Sequence, residues 1–238
     1  RNNIKYSNRV VEMMKKKKAI ILGGSRGIGK HIVKELSKLN VNLINCSSKD
    51  VDTSNITEVK KFILKNNSTD ILLLNTGGPP AKSYYDISYE DWNKYFNQLF
   101  LSFALILQKM KINKNGYVFL ISSSIIKEPS IGLEISSSLR SGFVSLFKSI
   151  SLHKKNKNVS FINIAPGPFK TGRVNKLVKN MKSFEKNLPT GKIGDPSDIG
   201  KFVKFVVENN IKYLTGSTIY FDGNINKSII GKKIDFIK

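Results

Sequence analysis

Short apolar runs alternate with segments of helical periodicity along most of the chain. Ala19–Leu22, Val41–Cys46, Ile71–Leu74, Tyr117–Ile121, Val159–Ile164 and Ser217–Phe221 read as strands. Ile71–Leu74 is apolar throughout, as a strand buried on both faces should be. Between the strands, Lys30–Leu39 places Ile32, Val33, Leu36 and Leu39 on one helical face. Ile56–Lys65, Tyr89 to about Lys109, Ser137–Leu152 and Pro196–Val207 also read as helices, the last with Asp195 as its cap. The alternation predicts an α/β fold: a Rossmann-like, doubly wound parallel sheet with helices on both faces. The 238 residues suit one such domain and show no internal repeat. Residues 1–12 are polar and rich in Asn, and are expected to form an N-terminal extension to a domain over 13–238.

Composition narrows the function classes. The formal charge is +23, yet only Arg1, Arg9, Arg26, Arg140 and Arg173 are arginines. Nucleic-acid readers concentrate Arg and aromatics on one face, whereas here Lys is scattered. Compositional bias is therefore the expected cause, with no specific nucleic-acid partner, although the charge should attract anions. Cys46 stands alone, which excludes an intrachain disulfide and a Cys-based metal site. His31 and His153 lack metal-ligand spacing, so no metal is expected. The apolar stretch Leu99–Leu107 is too short to span a bilayer. The basic run Lys15–Lys18 precedes an apolar segment cut off at once by glycine, which is not a signal-peptide pattern. A cytoplasmic protein with no membrane partner is the expectation.

The chemistry begins at Gly23-Gly24-Ser25-Arg26-Gly27-Ile28-Gly29, between the first strand and the first helix. Glycines at 23, 27 and 29 let the backbone approach a pyrophosphate, while the helix N-terminus supplies N–H groups and a positive dipole. In that strand-turn-helix setting the pattern points to a nucleotide.

Later landmarks, in order, resemble those of the short-chain dehydrogenase/reductase family, in particular its 3-oxoacyl-ACP reductases, over about residues 14–224. Leu73-Leu74-Asn75-Thr76-Gly77 resembles the family's Asn-Asn-Ala-Gly strand end. Ile121-Ser122-Ser123 resembles the strand bearing the catalytic Ser. Ala165-Pro166-Gly167 to Thr171 resembles the segment contacting the nicotinamide. The resemblance implies cofactor contacts from Gly23, Ser25, Arg26, Gly27, Ile28, Gly29, Asn75, Gly77, Pro166, Gly167 and Thr171. It also implies a homodimer or homotetramer formed through the stretches Leu99–Leu107 and Leu139–Ile150. Asp52 is expected near the adenine, reached by a shortened path, because few residues separate it from Cys46 where family members place a helix and a further strand. The second strand ends at Ser47-Ser48-Lys49 without an acidic residue. With Arg26 in the Gly-rich loop, this favours NADP(H) over NAD(H).

The departures are as informative. The family carries Tyr-x-x-x-Lys thirteen residues after its catalytic Ser, and no Tyr here has Lys four residues on. Counting from Ser123 lands on Ser136 and Arg140, and the family's helix Asn aligns with Leu99. A Ser hydroxyl is a weaker acid than Tyr, and Arg holds anions but relays no proton. The expectation is an NADP(H)-dependent oxidoreductase acting on a carbonyl or hydroxyl substrate. Ser123, Ser136 and Arg140 would hold the substrate oxygen, and water or Glu134 would supply the proton. The alternative is a catalytically inactive nucleotide-binding homologue, a sensor or scaffold.

Overall fold

The computed structural model describes residues 16–226, so the expected extension at 1–12 and the start of the domain at 13–15 lie outside the described residues. Six strands, β1 (Lys17–Leu22), β2 (Val41–Cys46), β3 (Ser68–Leu74), β4 (Lys111–Ile121), β5 (Ser160–Pro166) and β6 (Thr218–Phe221), form one parallel sheet. Their order is β2-β1-β3-β4-β5-β6. The chain runs outward from β1 to β2, then returns to the other side of β1 as β3. That reversal opens a crevice at the carboxyl ends of β1 and β3, where ligands of such sheets bind. The expected shortening is present: residues 47–55 join β2 to the next helix without forming a strand, and β2 is left at the sheet edge.

Two apolar layers cover the sheet. On one face, α1 (Gly27–Leu36) and α8 (Pro196–Glu208) pack over Ile21, Ile71, Leu73, Phe119 and Ile162. The two helices come close because Gly200 carries no side chain, and a Cβ there would lie 2.7 Å from His31 O. On the other face, α2 (Ile56–Lys65), α4 (Ser102–Lys109) and α5 (Glu134–Ser151) close over Ile20, Leu72, Leu74, Val118 and Phe161. Side-chain caps fix several helix starts, among them Asn55 on α2, Ser88 on α3 (Tyr89–Phe96) and Asp195 on α8.

Several boundaries differ from the periodicity. The first helix begins at Gly27, inside the glycine motif, and ends at Leu36 instead of Leu39. The long helix over Tyr89–Lys109 is interrupted: α3 passes through a π turn at Asn97–Leu101 before α4 begins. Apolar periodicity does not register one extra residue in a turn, and such insertions often mark functional sites. The segment Thr171–Pro189, which shows no clear periodicity, contains α6 (Gly172–Leu177) and α7 (Met181–Lys186). No helix among the described residues is long and apolar enough to cross a membrane.

Candidate active site

The Gly-rich turn is shaped by contacts that leave no room for side chains. A Cβ on Gly29 would lie 2.2 Å from Gly23 O, and Gly27 has φ +53°, a conformation L side chains rarely adopt. Asn75, at the end of β3, donates from Nδ2 to Gly23 O at 2.9 Å and ties the turn across the crevice. The turn leads into α1, whose N-terminus has no side-chain cap and no acidic residue in its first turn. Its leading N–H groups therefore face outward with the positive end of the helix dipole, which is the chemistry of a phosphate cradle. Ser25 and Arg26 are exposed beside it, and Ile28 packs down onto the core. Thr171 closes the far side, with its Cγ2 3.4 Å from where a Gly27 Cβ would stand. Pro166 ends β5, and Gly167, which follows it, donates to Phe221 O at 2.8 Å.

At the end of β2, Asp50 accepts from the Ser47 amide and from the Ser47 hydroxyl, both at 2.7 Å. These contacts hold the Asp50 carboxyl below the usual carboxylate range. An acidic group therefore stands at this strand end after all, directly after Lys49 in the chain. Ser48 and Lys49 are exposed beside it. Asp52 is half-buried and caps its own turn, its Oδ1 accepting from the amide and hydroxyl of Ser54 at 2.9 Å each. Its carboxylate is partly spent on local structure.

Ser136 and Arg140 meet as the spacing implied. Arg140 Nε donates to Ser136 Oγ at 3.3 Å, and Nη1 donates to Ile121 O at 3.1 Å and, marginally, to Ser122 O at 3.5 Å. The guanidinium thus spans from α5 to the end of β4. Burial, and secondarily Arg173, lower the Arg140 pKa to about 10, which keeps it charged at neutral pH. Leu99 and Phe103 wall this space with Leu120 and Phe143. Leu99 sits buried on the π turn and offers no polar group to this space. Ser123 is half-buried in extended backbone, and among the described residues its hydroxyl forms no hydrogen bond, to Ser136 and Arg140 included. Glu134 opens α5, with Oε1 accepting from the Gly132 amide at 3.0 Å and Oε2 buried without a partner among the described residues.

Three residues at this site are not singled out by the sequence patterns. Gln98, on the π turn, donates to Gly77 O at 2.8 Å and Thr76 Oγ1 at 3.2 Å. Arg173, at the start of α6, donates from Nη1 to Gly78 O at 3.0 Å. Asp50 is the third. For Arg173 a signal existed, since Arg is as scarce in this chain as it is at position 26. Gln98 had none, because only the π turn aims it at Gly77. Among the described residues, no cluster of His, Cys, Asp or Glu could hold a metal ion.

Known proteins share this architecture and sequence. The family model described as Enoyl-(Acyl carrier protein) reductase matches residues 54–226. The chain is 29% identical to the 3-oxoacyl-[acyl-carrier-protein] reductase FabG of Buchnera aphidicola subsp. Baizongia pistaciae, covering 88% of this chain and 97% of that one. The corresponding protein of Chlamydia pneumoniae is 27% identical, over 88% and 96%. Among solved structures, YwfH, an NADPH dependent reductase involved in bacilysin biosynthesis, superposes with a TM-score of 0.78 at 20% identity, over 90% of this chain and all (100%) of that one. A small-chain dehydrogenase in complex with NADPH gives 0.75 at 22% identity, over 88% and 98%.

Proposed function

The chain belongs to the short-chain dehydrogenase/reductase family, and on that footing we propose that it is an NADP(H)-dependent oxidoreductase acting on a carbonyl or hydroxyl substrate through a non-standard active site. The observation that carries the cofactor is the side-chain-free contact of Gly29 on Gly23 O beneath an uncapped helix N-terminus. A pyrophosphate fits that cradle, with Gly23, Ser25, Gly27 and Ile28 around it, Asn75 and Gly77 along one wall, and Pro166, Gly167 and Thr171 along the other. The 2′-phosphate is favoured by Arg26 and Lys49 and by the Ser47 and Ser48 donors. It is favoured also by two structural neighbours, one in complex with NADPH and one an NADPH dependent reductase. Taking the Ser47 donors requires Asp50 to give up its two hydrogen bonds. Asp52 would approach the adenosine side with the carboxylate oxygen that Ser54 leaves free.

Hydride for the substrate carbon would be supplied by the nicotinamide cofactor when bound. The residues around it position the oxygen and handle its proton. Ser136 accepts from Arg140, so its own O–H is free to donate to a substrate oxygen. Ser123 offers a second unengaged hydroxyl. Arg140, fixed by backbone carbonyls, places positive charge where alkoxide charge develops. The proton comes from water or from Glu134, whose second carboxyl oxygen has no partner among the described residues. Without a positioned Tyr, turnover is expected ~10²–10⁴-fold below that of a Tyr-based site. Homodimerisation or tetramerisation would use the half-buried apolar faces of α4 and α5.

Two observations favour a second reading, a non-catalytic nucleotide sensor or scaffold: Leu99 is apolar and Ser136 is almost wholly buried. NADPH consumption over a panel of carbonyl compounds separates the two. Turnover lost in Ser136→Ala and Arg140→Ala supports the enzyme. NADPH binding with no turnover of any compound favours the sensor.

A further inference from the structure

All three arginines among the described residues reach one short stretch of backbone. They belong to a chain with five arginines among 40 basic side chains. A Cβ on Gly77 would lie 4.0 Å from Arg26 Nη2. One on Gly78 would lie 3.2 Å from Arg173 Nη2 and 3.6 Å from Arg140 Nη2. The last two nitrogens border the same small space, which the glycine leaves open. Three of their other nitrogens are engaged: Arg173 Nη1 by Gly78 O, Arg140 Nη1 by Ile121 O, and Arg140 Nε by Ser136. The two Nη2 groups have no acceptor among the described residues, and neither arginine belongs to an ion pair there.

Two guanidiniums side by side, one of them 9% exposed, repel each other strongly away from bulk water. Each is drawn down in pKa by burial, yet Arg140 at about 10 is still charged at neutral pH. Nothing among the described residues compensates this charge. Two free Nη2 groups bordering one space can each donate to an oxygen of the same carboxylate or phosphate.

We propose that Arg140 and Arg173 form a clamp across Gly78 for an anionic group, carboxylate or phosphate, on the substrate. The proposal rests on the reductase reading and adds a substrate class to it: a carbonyl compound bearing an acidic group. The anion belongs to the substrate because Arg140 also holds Ser136, at the reacting end. Arg26, on the Gly77 side, is the arginine that lies by the phosphate cradle.

The test is calorimetric titration of oxalate and of inorganic phosphate into the full chain, with and without saturating NADPH. Binding in the presence of NADPH is expected, with the tighter probe distinguishing carboxylate from phosphate. Arg173→Ala is expected to weaken that binding about 10- to 100-fold while leaving NADPH affinity unchanged. Gly78→Ala, which fills the gap without removing a charge, should weaken it too and covers the case of a misfolded arginine variant. The clamp is overturned if neither anion binds, if both variants bind like the wild type, or if NADPH displaces the anions, since a cofactor phosphate would then be the occupant. Arg173-dependent anion binding in a chain that fails to bind NADPH would sink the reductase reading and leave the clamp standing.

Discussion

Arg140 Nε and Ser136 Oγ lie 3.3 Å apart, one turn from each other on the buried face of α5. On the proposed reading, a long cation would stand where the family has Lys, and a short hydroxyl where it has Tyr. Their contact also closes the hydrogen-bond needs of the end of β4, since Arg140 satisfies Ile121 O. Arg140→Ala should therefore destabilise the fold by about 1–3 kcal/mol, because a buried carbonyl loses its donor. Ser136→Ala should cost less than Arg140→Ala. Urea midpoints of the two variants check the order. Equal midpoints would mean that Arg140 does not support the strand end.

Gly29→Ala places a methyl group 2.2 Å from Gly23 O, a backbone atom that cannot swing aside. A loss of about 1–3 kcal/mol is expected, together with at least ~10-fold weaker nucleotide binding as the turn is pushed out of shape. Thermal unfolding and NADPH titration of the same preparation report both. A variant that binds normally would remove the phosphate cradle from its proposed position.

Asn75→Ala removes the donor to Gly23 O, at the switch point of the sheet. The expected stability cost is about 1 kcal/mol. Nucleotide affinity should fall by more than stability does, because the freed turn must be ordered on binding. Asn75→Ala with unaltered affinity would make the contact purely structural.

Cys46 is buried at the end of β2, and burial, with Asp50 nearby, pushes its thiol up to about 11. The thiolate is the reactive form, so at pH 8 only ~0.1% of it is present. Alkylation by iodoacetamide should be negligible in the native protein at pH 8 and complete in urea. As pH rises toward 11 the native rate should climb. Fast labelling at pH 8 would show that the strand end is open.

The alternation of apolar strands and helices was sufficient for the sheet and its two layers, because burial on both faces leaves a strong mark in composition. The shortened path after Cys46 was legible from spacing set against the family's pattern. Ser136 and Arg140 were reached by counting the family's spacing from Ser123, and their separation by four residues on α5 then fixes them one turn apart. The π turn was not legible, and with it Gln98 was missed. Arg173 was missed because its meeting with Arg140 joins α5 to α6 through Gly78, a contact that no local pattern encodes. Asp50 folds back onto Ser47 by turn chemistry, which the composition of the strand end does not reveal. The short helices α6 and α7 carry few buried positions, so their periodicity was too weak to separate from a loop.

The most direct test is titration of the full chain with NADPH and with NADH, followed by quenching of Trp92 fluorescence. Saturable binding of NADPH, tighter than that of NADH and lost in Gly29→Ala, is the expected result. Absence of NADPH binding, or binding indifferent to Gly29→Ala, would contradict a nucleotide site at the Gly-rich turn.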